Sequence, residues 1–316
     1  MATHRLDASA KNVHWGHFGA DVPPRLTVQS GDTVEMLTVS GRADILPAAG
    51  SGMTVPAQLH DVLAHVRPEI GPHILTGPVA VEGAEPGDTL EVRIERIDPA
   101  ADWGYNAVRP LVGTLPEDFP TSRVLHIPVD RQKRSCRLPW GTELALSPFF
   151  GVMGVAPPAV YGRISTAPPR EHGGNLDNKE LVAGTRLFLP VHAPGALFSA
   201  GDGHGVQGDG EVCITALEMC LDGAFTLILH KQGTREAWRF PRAETPTHFV
   251  SMGLNEDLDQ AMKQALREMI AFICGRTNLS REQAYQFCSL AVDFHVTQTV
   301  NGEKGIHGLL KKGLLF

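Results

Sequence analysis

Aromatic residues, cysteines and long hydrophobic runs are all scarce in this sequence. No segment approaches the roughly 18 consecutive apolar residues of a membrane-spanning helix, so we expect no membrane partner. The first residues, Met1–Asp7, contain no apolar stretch of the kind that directs secretion. No Cys-x-x-Cys pair occurs, which favours free thiols in a reducing cytoplasm over disulfides or a zinc knuckle; the five cysteines are Cys136, Cys213, Cys220, Cys274 and Cys288.

Positive charge is scarce as well. The net charge is −7, and no cluster of lysine and arginine exceeds Arg131–Arg137. Because nucleic-acid binding depends on a basic surface, we expect no nucleic-acid partner. The chain has 316 residues with 42% hydrophobic content, which is enough for one large core or two smaller ones.

Glycine and proline are abundant, at 33 and 23 residues, and this indicates many turns and short strands. Towards the C-terminus the pattern changes, because apolar residues recur at helical spacing over 255–274. Ser280 and Gln283 then form a capping-box start for a second helix that runs through Ala291. We therefore predict an α+β fold, mainly β, of short-stranded sheets or a sandwich with a C-terminal helical pair. Residues 1–254 form the β-rich body, and residues 255–316 form helices and a closing segment packed on it.

Two stretches share the sequence Gly-Asp-Thr-Val/Leu-Glu, within 25–40 and 79–98. Alternating apolar and polar residues flank each Gly-Asp pair, so both stretches are predicted to be β hairpins. A strand meander is predicted further along, with strands at 211–221, 224–231, 236–240 and 246–252. The last residues, from Val292 onward, are predicted to be polar and rich in turns.

The most distinctive stretch is Gly201–Glu211, Gly-Asp-Gly-His-Gly-Val-Gln-Gly-Asp-Gly-Glu. It contains Gly-x-Gly-x-x-Gly, but a strand is expected to follow, whereas a dinucleotide site needs a helix there. A calcium loop of the EF-hand type is disfavoured, because Val206 occupies an oxygen-ligand position and no helices flank the stretch. A hairpin turn with solvated acids stays open, because turns favour Gly and Asp. A histidine between carboxylates favours a functional site on a loop between two strands.

Other polar segments carry further candidate residues. The loop-rich segment from His60 to Pro78 contains three histidines and Asp61, although each histidine alone is more typical of a surface or a turn. A third polar glycine loop spans 168–177 and includes Asn175.

Several of these motifs resemble the acetamidase/formamidase family. They are His73-Ile-Leu-Thr-Gly-Pro-Val, Val81-Glu-Gly-Ala-Glu-Pro-Gly-Asp88, Gly173-Gly-Asn-Leu-Asp177, the Gly201–Glu211 stretch, and Asp293-x-x-Val-Thr-Gln298 with Lys304-Gly. The resemblance covers almost the whole chain. It implies an oligomeric, metal-dependent hydrolase that converts short aliphatic amides to a carboxylate and ammonia. Family members often carry bulkier residues at the positions of Gly203 and Gly205, and Asn at that of His172, which bears on the size of the acyl pocket.

Amide hydrolysis needs a polarised carbonyl, an activated water and a proton for the leaving nitrogen, and a divalent ion can supply the first two. Histidine with carboxylates suits zinc first, with iron, manganese or calcium as alternatives. Asp202 and His204 are predicted metal ligands, with Asp61 third and His60 or His73 in reserve. Glu211 is the predicted general base, with Glu82 second. The predicted substrate-binding residues are His73, Asn175, Gln207 and Gln298.

Competing interpretations concern the nucleophile and the function itself. Cys213 and Cys220 have no paired lysine and glutamate nearby, and a serine-rich run of the Ser/Lys amidase type is missing. A non-catalytic β module that binds a structural metal or a small sugar is the alternative function. Such a module needs one polar loop, whereas this chain has four. We expect a small amide as the partner molecule, a homo-oligomer and a cytoplasmic location.

Overall fold

A computed structural model describes residues 1–234 and 238–315. Three α-helices lie in the described residues, at Ala57–His65 (α1), Leu258–Arg276 (α2) and Arg281–Ala291 (α3). The strands of the described residues, in chain order, are β1 (Thr3–Leu6), β2 (Val13–Trp15), β3 (His17–Phe18), β4 (Leu26–Val28), β5 (Thr33–Thr38), β6 (Ile74–Val81), β7 (Thr89–Pro99), β8 (Trp103–Val108), β9 (Arg123–Asp130), β10 (Ser135–Arg137), β11 (Glu143–Ala145), β12 (Phe149–Gly154), β13 (Ile164–Ser165), β14 (Gly173–Asn175), β15 (Arg186–Pro190), β16 (Phe198–His204), β17 (Leu221–His230), β18 (Arg242–Glu244), β19 (His248–Asn255), β20 (Val292–Gln298) and β21 (Lys304–Lys311).

The strands form two large sheets and two small ones. A nine-stranded sheet has the order β1-β5-β17-β7-β15-β18-β19-β21-β20, and a six-stranded sheet has the order β14-β12-β16-β6-β2 with β4 beside β6. One buried cluster joins them, because it includes Val34 and Val92 of the first sheet and Val79 and Phe198 of the second. Strands make up 38% of the chain and helices 15%, which confirms the mainly β prediction.

The two Gly-Asp stretches contain strands, but the hairpin prediction is wrong. In each stretch the first strand belongs to the six-stranded sheet and the second to the nine-stranded sheet. The first strands, β4 and β6, pair with each other in parallel, with Leu26 opposite Val79. Each Gly-Asp turn is therefore a connection between sheets. Alternation predicts a strand with one buried face but does not specify its partner.

The C-terminal helical pair is confirmed by α2 and α3. The capping box at Ser280 is complete, because its side chain accepts from the Gln283 backbone and the Gln283 side chain accepts from the Ser280 backbone. The turn-rich prediction after α3 is wrong, since β20 and β21 extend the nine-stranded sheet from β19. The division into residues 1–254 and 255–316 stays a prediction. None of the described helices is long and apolar enough to cross a membrane.

The predicted meander is only partly present. Its second and fourth strands correspond to β17 and β19, whereas 211–220 forms a loop with isolated bridges. The predicted strand at 236–240 falls partly on residues 235–237, which lie outside the described residues. The segment 57–65 is helical, and the buried pair Leu59 and Val62 follows the helical spacing that the sequence already contained.

Candidate active site

Strand β16 brings the two central polar residues into the protein. It continues through Gly201–His204, so the first part of the predicted loop is a strand, and the loop begins at Gly205. The strand needs glycine where neighbours come close, because a Cβ on Gly203 would lie 2.4 Å from the carbonyl oxygen of Met219. Opposite, a Cβ on Gly151 of β12 would lie 2.7 Å from carboxylate oxygens of both Asp177 and Asp202. These glycines leave room for a cluster of charged side chains.

His204 is the centre of this cluster. Its side chain is fully buried and packs at 4.9 Å, edge to face, on the ring of Phe149. Its Nε2 atom lies 3.3 Å from Asp202 Oδ2, 3.3 Å from Glu218 Oε1 and 4.0 Å from Asp177 Oδ1. No contact of Nε2 with the described residues has hydrogen-bond geometry. A buried nitrogen surrounded by carboxylate oxygens fits a proton or a cation at this point.

Gln207 determines which nitrogen of His204 carries the proton in the neutral ring. The Gln207 Nε2 atom donates to the carbonyl oxygen of Asp177 at 2.8 Å, which leaves Oε1 facing His204 Nδ1 at 2.9 Å. Since that oxygen only accepts, Nδ1 of His204 is the donor. The lone pair of a neutral His204 is then on Nε2, directed at the carboxylates of Asp202 and Glu218.

Two sets of three residues meet at His204. Asp202, His204 and Glu218 each offer a ligand atom within 4.8 Å of the others, and so do Asp177, His204 and Glu211. All of these residues except Asp202 are buried, and the side chain of Asp202 is 11% exposed. If all four carboxyl groups were ionised, their charge would exceed what one imidazole can balance. A divalent cation would correct this excess.

The pKa values of the cluster reflect this crowding. Burial raises the pKa of Glu211 to about 8, with Glu218 and Asp202 adding to the increase and His204 opposing it. Burial likewise raises the pKa of Glu218 to about 7, and burial with the charge of Glu211 raises that of Asp177. For His204 burial acts to lower the pKa, but Glu218 and Asp202 outweigh it and raise this pKa well above its usual value. Glu211 and Glu218 thus titrate near neutrality, as proton-transfer groups do.

A small cavity opens onto this cluster. It has a volume of about 90 Å³, and its polar lining includes His73, Tyr105, Arg109, Asn175, Asp202, Glu211 and Glu218. Such a volume holds only a handful of water molecules, so it suits a ligand of a few heavy atoms. Arg109 lines the cavity without a hydrogen bond or ion pair to any described residue.

Three of the predicted candidates lie apart from the cavity lining. Asp61 and His60 are on α1, where Asp61 accepts from the Ala10 backbone and pairs with His65 at 2.9 Å. Glu82 is exposed and accepts from the side chain of Gln29. The structure therefore does not bring Asp61, predicted as third ligand, or Glu82, predicted as second base, to the cavity lining. Both assignments were based on polar residues nearby in the sequence. Such proximity does not show where a side chain points.

Gln207 and Gln298 are not among the residues that line this cavity, and their predicted contact with substrate stays a prediction. Gln298 is fully buried, donates to the carbonyl oxygen of Asn175 at 2.8 Å and accepts from Asn301 at 2.7 Å. Asn301 in turn donates to Asp177 Oδ2 at 2.9 Å. Gln298 thus supports Asn175 and Asn301, which both line the cavity.

Asn175 and His73 do line the cavity. Asn175 Nδ2 donates to the Ala167 carbonyl oxygen at 3.0 Å, while its Oδ1 has no partner among the described residues. His73 Nε2 lies 3.6 Å from Asp202 Oδ2, and burial lowers the pKa of His73.

Sequence reasoning missed Glu218, Asp177, Tyr105 and Arg109. Asp177 was in a recognised motif but received no role. Glu218 lies within 211–221, which was predicted to be a strand. Isolated bridges to Tyr105 and His204 bring Glu218 to the cluster. The family differences lie elsewhere: Gly203 and Gly205 pack against Leu217, Met219 and Leu221, and His172 packs on Phe18, so none of the three lines the cavity.

Replacing Gln207 with methionine should weaken cation binding at His204. Methionine preserves the length of the side chain but removes the acceptor that orients Nδ1, and loss of such a support costs about 10- to 100-fold in metal affinity. Titration of the metal-free protein with zinc, followed by calorimetry, measures the change. Gln29→Met, at an exposed glutamine, is the matched control. An unchanged affinity in Gln207→Met would show that Gln207 does not orient His204.

Comparison with known proteins relates this chain to one family. The pattern of the Acetamidase/Formamidase family matches residues 3–164 and 160–303. A formamidase of Methylophilus methylotrophus is 31% identical over 301 residues, covering 72% of this chain and 73% of that protein. The crystal structure of an acetamidase from Bacillus halodurans has a TM-score of 0.84 at 31% identity and covers 98% of both chains. A predicted acetamidase/formamidase from Thermoanaerobacter tengcongensis has a TM-score of 0.86 at 25% identity, covering 100% of this chain and 98% of that one.

The relatives named formamidase and acetamidase place this mainly β protein in the class of hydrolases. The chain belongs to the acetamidase/formamidase family. The resemblance inferred from the sequence is thereby confirmed, and so is the expected enzyme class, a hydrolase of carbon–nitrogen bonds other than peptide bonds.

Proposed function

We propose that the protein hydrolyses a short linear amide to a carboxylate and ammonia, with a divalent cation held by Asp202, His204 and Glu218. The supporting observation is the buried His204 Nε2, which lies 3.3 Å from oxygens of both carboxylates without a hydrogen bond to a described residue. Glu218 replaces Asp61 in the predicted ligand set. The relatives named formamidase and acetamidase support the substrate class.

The chemistry of this donor set suits a cation. One imidazole with carboxylates is typical of zinc and iron sites, so zinc is the first choice, with iron, manganese or calcium as alternatives. Orphaned atoms adjoin the set, since Asp177 Oδ1 and Glu211 Oε2 are buried without a hydrogen-bond partner among the described residues. When bound, the cation would polarise the amide carbonyl and lower the pKa of water.

Glu211 is the proposed general base and proton carrier. Its raised pKa lets it take a proton from the attacking water and return it to the departing nitrogen. Its backbone supports this position, because φ is 44° and the Ile214 amide donates to its carbonyl oxygen at 2.9 Å. The carboxylate is thus held in the wall of the cavity by a turn.

The remaining lining residues would orient the amide. Asn175 Oδ1 is a free acceptor for an amide N–H, since the other end of its side chain is held by Ala167. Burial raises the pKa of Tyr105, and the negative charges of Glu218 and Asp202 raise it further. The phenol therefore stays protonated and can donate a hydrogen bond to a developing oxyanion. The cavity of about 90 Å³ favours a short acyl group.

Ammonia release from formamide, acetamide and propionamide tests the function. We expect turnover that decreases with acyl length, that is lost after dialysis against a chelator and that returns with zinc. No turnover on any of the three, with the cation still bound, would favour the non-catalytic metal-binding module instead. Turnover unaffected by the chelator would refute the cation and leave amide hydrolysis in place. The homo-oligomer and the cytoplasmic location stay predictions.

A further inference from the structure

A second cluster of ligand-type side chains lies outside the cavity lining. Asp209 belongs to the loop after β16, His295 to β20 and His307 to β21. His295 and His307 are directly opposite each other across the two antiparallel strands, and their rings are stacked at 5.3 Å with an interplanar angle of 9°. Residues directly opposite each other in an antiparallel pair point to the same face of the sheet. Both rings therefore lie on the face that also carries Asp209.

The three side chains are close enough to share one ion. Asp209 Oδ2 lies 3.1 Å from His295 Nδ1, and one ligand atom from each residue lies within 4.8 Å of the other two. Two imidazoles with one carboxylate form a frequent donor set for zinc.

His307 provides an independent sign of a missing ligand. Its side chain is fully buried, its Nδ1 contacts Thr297 Oγ1 at 2.7 Å, and its Nε2 has no hydrogen-bond partner among the described residues. A buried polar atom without a partner calls for an ion or a water.

We propose that Asp209, His295 and His307 form a second divalent metal site, which binds zinc and attaches the loop of Glu211 to strands β20 and β21. The loop already contacts β20 through its backbone, because Gly210 accepts from the Thr299 amide at 2.9 Å and donates to the Thr297 carbonyl at 3.2 Å. A metal bond at Asp209 would stabilise this attachment two residues before the general base.

Lys179 opposes metal binding and provides a sharp test. Its Nζ lies 2.9 Å from Asp209 Oδ1, the oxygen that does not face His295. A cation on Oδ2 would therefore lie close to a positive charge, which lowers affinity. Removing that charge with Lys179→Gln should tighten zinc binding at this site. If Asp209 only forms ion pairs with Lys179 and His295 and binds no metal, Lys179→Gln should leave zinc binding unchanged.

Zinc content of four proteins tests the proposal and separates it from the cation at His204. After loading with zinc and gel filtration, we expect about two ions per chain in the wild type, about one in His204→Ala, about one in His295→Ala and none in the double variant. If the cavity binds no ion, the wild type and His204→Ala hold one each and the two His295→Ala proteins hold none. That pattern would refute the catalytic cation and support the second site.

Zinc content in His295→Ala equal to that of the wild type would overturn the proposal. His60→Ala, at an exposed histidine of α1, is the matched control. Asp209→Asn repeats the test without altering a strand. In the His204→Ala background, zinc should raise the thermal unfolding temperature through this site alone, and His295→Ala should remove that increase. No increase in the His204→Ala protein would also overturn the proposal.

Discussion

Glu211→Gln is expected to lower kcat by about 10²- to 10⁴-fold, the usual contribution of one general acid–base group. Glutamine has the same shape as glutamate but cannot accept the proton from water. Since Glu211 lies outside the ligand set Asp202, His204 and Glu218, its replacement should leave the bound cation and the fold in place. Ammonia release, metal content and circular dichroism measured on the same preparation check the three statements.

The pH profile adds a second readout for Glu211. Only the ionised carboxylate accepts a proton, so kcat/KM of the wild type should rise with pH through the pKa of Glu211, which burial raises to about 8. A bound cation favours the ionised form and moves this rise to lower pH. The residual activity of Glu211→Gln should lack the rise.

Glu82→Gln is the matched control, because Glu82 is exposed and paired with Gln29. It should retain the activity of the wild type. Activity of Glu211→Gln equal to that of the wild type would show that Glu211 is not the general base.

His204→Ala is expected to remove the cavity's cation and the activity together. Imidazole is the one nitrogen donor of the proposed set, and its loss leaves carboxylates that repel one another in a buried space. Because the cation would contribute several kcal/mol to transition-state stabilisation, activity should fall by about 10³-fold or more. Zinc content and ammonia release, measured on the same preparation of His204→Ala, test whether the cation and the activity are lost together.

An exposed histidine provides the control for His204→Ala. His60→Ala should retain both zinc and activity, since His60 lies on the surface of α1. Full zinc in His204→Ala, in a background without the second site, would show that the cavity is not a metal site. Lost zinc with full activity would show that the reaction does not need the cation.

Local patterns predicted those parts of the fold that depend on neighbours in the sequence. The spacing of apolar residues placed α2, and the Ser280 and Gln283 pair placed the start of α3, because helix hydrogen bonds and caps join residues three or four positions apart. The Asp-x-His pair of β16 was likewise identified as a site, and its side chains converge at 3.3 Å.

Strand partners could not be read from the same patterns. Alternation in 25–40 predicted two strands, yet β4 pairs with β6, about fifty residues away, and β5 pairs with β1 and β17. Two strands that form a hairpin and two strands that belong to different sheets show the same alternation of buried residues. Only the packing of both sheets on one core decides between the two arrangements.

The same limit applied to the site. The sequence alone indicated where to look for the site, because the stretch Gly201–Glu211 places a histidine between carboxylates. Tertiary structure decided which residues belong to the site. Glu218 and Asp177 reach His204 through bridges and turns, whereas Asp61 is held on α1 by His65. Side-chain convergence depends on strand register and on long-range packing, and neither is encoded in the spacing of residues along one segment.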